Sequence, residues 1–433
     1  MFQPVEVTID GGYDIKLPLF VPVKQKFKVA KVSNIDDAIR LELNKEEIKG
    51  LIKPEQKIAV AVGSRGIANL KEIVCQTVQY INSCGAHPVI IPAMGSHGGA
   101  TAEGQRRLLA DYGITEGEIG APVLSSMDTI EIGRTSSGLP IYIDREAFQA
   151  DGIVVINRVK PHTSFKGAYE SGLLKMLVIG LGKHVGASSI HSYGFDQFKE
   201  LIPQAGRVIL ETAKVLFGLA VLENAEDETA RIEAIPANKI YDREPYLLAE
   251  AKSYMAKIIP RSFDVLVVEE IGKEISGTGM DPNIVGRPGL SYAEFAGPKF
   301  QKSVILDLTE QTKGNACGVG MADVITRALL NKIDFQYLYA NAITSTSLGA
   351  AKIPVVMNTE KEALAVALKT CNRVDVSKAK IVFIKNTLEL NTILVSGPVL
   401  AEIEHDENVE IIGQELKLTF DETGKLLHRP SQY

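Results

Sequence analysis

Two rhythms of apolar and polar positions alternate along most of this chain. Short unbroken apolar runs recur at Ile58-Ala-Val-Ala-Val62, Pro88-Val-Ile-Ile-Pro-Ala-Met94, Ile153-Val-Val-Ile156 and Val265-Leu-Val-Val268. Runs of this length read as strands buried on both faces. Between them lie helical spacings, clearest at Leu70, Ile73, Val74, Val78 and Ile81, with Gly85 placed to close that helix. Asn34 to Asp37 can cap a helix through Ala38, Ile39 and Leu41, and Thr101 can open another. Before the first run, Val5–Ile9 and Tyr13–Phe20 alternate as strands around Gly11-Gly12. Further on, strands are expected around Ile130–Ile132, Leu139–Ile143 and Ala150–Asn157, a helix over Phe198–Val215, a hairpin from Leu216 and Thr229, and a helix over Tyr246–Ile259. A second series follows, with helices expected over Gly320–Lys332 and Glu360–Lys369. Strand and helix in turn predict an α/β protein of two α/β domains with mainly parallel sheets. Pro260-Arg261 marks the expected boundary, giving domains 1–260 and 261–433, the last ~30 residues packing back on the first.

Several apolar runs end in polar loops that lead into helices, and in parallel sheets such carboxyl ends are where ligands bind. Gly63-Ser64-Arg65-Gly66 offers amide N–H groups and a guanidinium suited to a carboxylate or phosphate. A tight turn with a solvated Arg65 is the alternative. Gly95-Ser96-His97-Gly98-Gly99 puts an imidazole between glycines, poised to take and return protons or else a surface loop histidine. Lys160-Pro161-His162-Thr163 is the third such loop, with the same two readings. Lys175 stands alone in the apolar run Gly172–Gly180, where an amine is costly to bury. It is either a reactive lysine or one that snorkels from an amphipathic helix. His184 and His191 share one face if their segment is helical. The stretch shows no HExxH, Cys-His cluster or GxSxG elbow, so a plain zinc hydrolase or serine hydrolase has little support.

Composition narrows the picture without redirecting it. Apolar residues make up 45% and charged residues 23%, as in ordinary globular proteins, and the net charge of −6 argues against nucleic acid as a partner. No window holds about 18 uninterrupted apolar residues, so no membrane helix is expected. The start lacks the basic and apolar regions of a signal peptide. The cysteines Cys75, Cys84, Cys317 and Cys371 are scattered and fit reduced thiols in a cytoplasm.

The order of these signals is similar to the nickel-dependent lactate racemase family: GSH followed by GGAT, then PH, then a glycine-flanked Lys, then a His sixteen residues after it. The resemblance implies a covalently bound nickel-pincer nucleotide, a pyridinium-3,5-bisthiocarboxylic acid mononucleotide carrying Ni. It would make Lys175 the covalent attachment point, His191 the metal ligand, His97 and His162 the catalytic bases, and Arg65 a substrate-binding group. Ser171 and Gly172 would cradle the nucleotide phosphate. The implied function is a racemase or epimerase that inverts the hydroxyl-bearing carbon of a 2-hydroxy acid, with cofactor-synthesis enzymes as partners and the active site in the interdomain crevice.

Two departures point away from lactate itself. Val62-Gly63-Ser64 precedes Arg65 where an acidic residue is expected, and no Tyr-Gln-x-x-Lys motif occurs in the second half. Glu269–Asn283 stands there instead, with Lys273 as the expected carboxylate contact for a longer or sugar acid. Two other classes stay open: a metal-dependent hydrolase or lyase using the histidines as ligands, and a non-catalytic cofactor carrier. His184 and Lys183 have no role at this point.

Overall fold

A computed structural model describes residues 3, 6–63, 66–287 and 294–433. The chain divides into two compact units, Lys28–Met255 and the remainder, in which the residues up to Phe27 group with Ala256–Tyr433. Both units are α/β with mainly parallel pairing.

In Lys28–Met255 a five-stranded sheet has the order His87–Pro92, Lys57–Val62, Gly152–Arg158, Val215–Glu223, Thr229–Pro236. The first four are parallel and the last closes an antiparallel hairpin. Side chains alternate across a strand, so each run feeds two cores. Ala59, Ala61, Ile91, Ile153 and Val155 enter one, with Leu173, Leu177, Ile202 and Ile209 packed over them. Ile58, Val60, Val62, Ile90, Val154 and Ile156 enter the other, beneath Ile73, Val74, Val78 and Ile81 of helix Leu70–Ser83. Each such side chain contributes roughly 1.5–3 kcal/mol on burial, which makes the sheet a rigid support for its loops. Asn34 caps Ile35–Leu43 by accepting from the Asp37 amide, and Thr101 caps Ala102–Asp111 by accepting from Gly104, as the cap residues imply.

The other unit has an eight-stranded sheet in the order Val355–Met357, Val324–Thr326, Lys302–Leu308, Val265–Ile271, Ile381–Ile384, Thr392–Ser396, Phe20–Gln25, Val409–Ile411. The first five are parallel and the last three antiparallel.

Five expectations change. The first 27 residues do not belong with the N-terminal domain, because Phe20–Gln25 pairs with Thr392–Ser396 and Val409–Ile411. The closing residues stay in this unit too: Leu416 bridges to Phe20 and Arg429 pairs with Glu360. The strand expected over Tyr13–Phe20 begins only at Phe20, where partners exist. The helix expected over Gly320–Lys332 is a strand, Val324–Thr326, then a helix, Arg327–Lys332, since β-branched residues pair beside Val304 and Ile305. The helix expected from Tyr246 instead runs Ala237–Tyr254 straight through Pro245. Proline deprives the Tyr241 carbonyl of its helical donor. The Tyr169 hydroxyl donates to that carbonyl instead, at 2.7 Å.

Candidate functional site

Three neighbouring parallel strands of the Lys28–Met255 unit send their carboxyl ends to the same edge. His87–Pro92 leads to the His97 loop, Lys57–Val62 to Gly63, and Gly152–Arg158 to His162. Arg65 lies outside the described residues. The segment that follows, Leu173–His191, crosses beneath these loops. It begins as a helical turn, Leu173–Lys175, and continues as a π turn, Met176–Gly180, in which the Leu181 amide donates to Met176 O at 2.9 Å. It then bends by 106° into helix Lys183–His191. Glycine is required at the bend. A Cβ on Gly180 would lie 2.7 Å from the Ala93 carbonyl, and one on Gly182 would lie 2.4 Å from that of Val178. Among the described residues no single helix is long and apolar enough to cross a membrane.

An aromatic cluster gathers three of the expected site residues. Phe165 lies 4.5 Å from the His162 ring and 5.2 Å from Phe198, and the Lys175 ammonium stands 5.8 Å over Phe165. The His191 ring meets Phe198 edge-on at 5.0 Å and Phe195 at 5.7 Å. His162, Lys175 and His191 therefore share one half-buried wall. The fourth residue, His97, is exposed, and its loop rests on the same segment: the Gly95 amide donates to Gly180 O at 3.1 Å. Lys273 belongs to the other unit, where its ammonium donates to Gly277 O at 2.7 Å within its own loop.

Each ring has a defined face. Nδ1 of His191 lies 2.6 Å from Ala187 O, which makes it the protonated nitrogen and leaves Nε2 with its lone pair. Burial holds the His191 pKa below its usual value, and the Lys175 charge lowers it further, so the ring is neutral at neutral pH. His162 is arranged in the opposite sense. Its Nδ1 accepts from the Ser164 amide at 3.0 Å, so the neutral ring carries its proton on Nε2. The Glu170 carboxylate, wholly buried, accepts from the His162 amide at 2.7 Å and is balanced by Lys166 at 3.1 Å and Lys252 at 2.8 Å.

Two amides at the phosphate cradle expected at Ser171 and Gly172 are engaged within the protein. The Ser171 amide donates to Lys160 O at 3.1 Å, and the Leu174 amide donates to Glu244 Oε2 at 3.0 Å. Gly172 instead makes room for Glu244, since a Cβ there would lie 2.2 Å from its Oε1. Burial pushes the Glu244 carboxyl up to about 7, against the pull of the Leu173 and Leu174 amides. Sequence reading missed Glu244, Glu170 and Gln105; no local pattern marks them, since each acts on residues distant along the chain or through its backbone. Lys183 is fully buried, 3.2 Å from Asp144. Burial pulls the lysine below its usual range and pushes the aspartate up, each opposed by the partner's charge.

Among the described residues no three His, Cys, Asp or Glu side chains are grouped to hold a metal, so His97, His162 and His191 do not form a joint ligand set. A single histidine donor beside a lysine fits a metal that brings its other ligands with it. The donor set at Lys175 and His191 thus agrees with the chemistry of a bound pincer group, with soft donors in the group and one imidazole from the chain.

The fold and this wall define an α/β protein whose imidazoles and a half-buried amine collect at the carboxyl edge of a parallel sheet. Residues 15–199 match the family model described as the lactate racemase N-terminal domain. That stretch contains Arg65, His97, His162, Lys175 and His191, while Glu244 and Lys273 lie beyond it. No curated protein matches. Several solved structures are similar, among them the following two. One is a protein from Thermotoga maritima, at 15% identity and a TM-score of 0.49, covering 83% of this chain and 97% of that one. The other is the lactate racemase apoprotein from Thermoanaerobacterium thermosaccharolyticum, at 14% identity and a TM-score of 0.49, covering 86% and 99%.

Proposed function

We propose that this chain is an isomerase that inverts the hydroxyl-bearing carbon of a 2-hydroxy acid, with a nickel-pincer nucleotide joined to Lys175 and ligated by His191. The observation that carries the reading is the aromatic wall bringing Lys175 and His191 together, with the His191 ring neutral and its Nε2 lone pair free to ligate. When bound, the group supplies a reversible hydride acceptor. The residues of the chain handle protons and position. His97 and His162 are the proton carriers of this reading, His97 taking the hydroxyl proton and His162 returning one from Nε2, the nitrogen that bears the proton in its neutral ring. Phe165, Phe195 and Phe198 exclude water from the wall, which strengthens the electrostatic interactions at it. Arg65 and Lys273 remain the proposed substrate carboxylate contacts, and the acid is longer than lactate.

The test is intact mass of the full chain made together with the cofactor-synthesis enzymes and nickel. The expected result is an adduct that Lys175→Ala abolishes. An unmodified chain, with cofactor demonstrably present, rejects the proposal. A loaded chain that inverts no 2-hydroxy acid in a broad panel would instead be a carrier.

A further inference from the structure

The loop that carries His97 is held from below by side chains with no part in the chemistry above. Gln105, on helix Ala102–Asp111, has no exposed surface. Its Nε2 donates to Gly95 O at 2.9 Å and to His97 O at 3.2 Å. Its Oε1 accepts from Lys183 Nζ at 3.3 Å. Lys183 is equally buried and also donates to Pro92 O at 2.5 Å, at the end of the strand from which the loop leaves. Its own backbone is left-handed, with φ of +51°, at the first residue of the helix that ends in His191. A buried lysine in a disfavoured conformation persists only where its surroundings hold it. Here it ties three things together: the end of strand His87–Pro92, the His97 loop and the start of the His191 helix.

An amide is the one uncharged side chain that can do Gln105's double task, donating to two carbonyls while accepting from an ammonium. We propose that Gln105, anchored by Lys183, is the positioning residue for His97, fixing its backbone relative to the helix that ends in His191. The proposal rests on the reading of His97 as a proton carrier.

Two variants separate positioning from packing. Gln105→Glu keeps an acceptor for Lys183 and loses both donors to the loop, whereas Gln105→Met loses both functions. Hydrogen exchange by mass spectrometry on the unloaded full chain follows the amides of residues 95–101, of which Gly95, His97, Ala100 and Thr101 are hydrogen-bonded. In Gln105→Glu their exchange should quicken about tenfold while Leu173–Gly180 stays at the wild-type rate. In the loaded enzyme, with whichever 2-hydroxy acid the wild type inverts, kcat should fall about 10- to 100-fold with little change in KM, the size expected for a misplaced catalytic group. Wild-type exchange in the loop overturns the proposal, as does a loosened loop with wild-type kcat. A loaded wild type that inverts no acid overturns the parent reading instead, whatever the loop does, so the two failures are distinct.

Discussion

Replacing Glu244 by Gln should change how the stability of the protein depends on pH. The carboxyl is fully buried at the amides that open the Leu173–Gly180 segment, and burial raises its pKa from 4.5 to about 7. Below the unfolded value both states are protonated, and the group has no effect on folding. As pH climbs from about 4.5 to about 7, the unfolded chain gives up the proton and the folded chain keeps it, so stability falls. By about pH 7.5 the loss should reach about 3 kcal/mol, at 1.36 kcal/mol for each pKa unit, and then level off. Glutamine removes this titration. Its amide nitrogen would stand where Oε1 has no hydrogen-bond partner among the described residues, which costs about 1 kcal/mol. Glu244→Gln should therefore be slightly less stable than wild type at pH 5 and about 2 kcal/mol more stable at pH 8. Urea unfolding followed by far-ultraviolet circular dichroism, at several pH values between 5 and 8.5, gives the difference curve directly. Parallel curves for the two proteins would refute the reasoning, because they would mean that the carboxyl titrates alike in the folded and unfolded chains.

Three other substitutions probe the same region. Gly172→Ala places a Cβ 2.2 Å from Glu244 Oε1 and should lower stability by roughly 1–3 kcal/mol, read as a drop in thermal midpoint; an unchanged midpoint would show that Glu244 can move aside. Lys183→Met leaves Asp144 buried without its cation and should cost about 3–5 kcal/mol, with part regained on adding Asp144→Asn. A loss under about 1 kcal/mol in the single variant would mean the pair is neutral in the folded protein. His191→Ala, made with the cofactor-synthesis enzymes and nickel, should retain the Lys175 adduct while nickel per chain falls; nickel equal to wild type would remove His191 as a ligand.

What was legible in the sequence was whatever depends on neighbours along the chain. The buried runs at Ile58–Val62 and Ile153–Ile156, the helix cap at Thr101 and the polar loops at His97 and His162 all announce themselves within a few residues, because strand burial, capping and turn geometry are local. The expectation failed where a distant partner decides. Phe20–Gln25 joins a sheet whose other strands lie some hundreds of residues later, and the helix through Pro245 survives because Tyr169 supplies the missing donor. Neither event leaves a mark in the local pattern.

Gly172 shows most directly how the site outgrew its motif. Beside Ser171 and ahead of a helical turn, it has the composition of an anion cradle, since glycine lets a backbone approach a phosphate. In the structure that glycine serves a carboxylate of the protein itself. Glu244 comes from a helix on the far side of the segment in sequence, occupies the amide of Leu174 and needs the missing Cβ in order to fit. The same glycine thus supports two opposite inferences from sequence, and only the packing chooses between them. The choice has a functional consequence. With the protein's own carboxylate at the turn that carries Lys175, the Leu174 amide is no donor for a phosphate bound near Lys175.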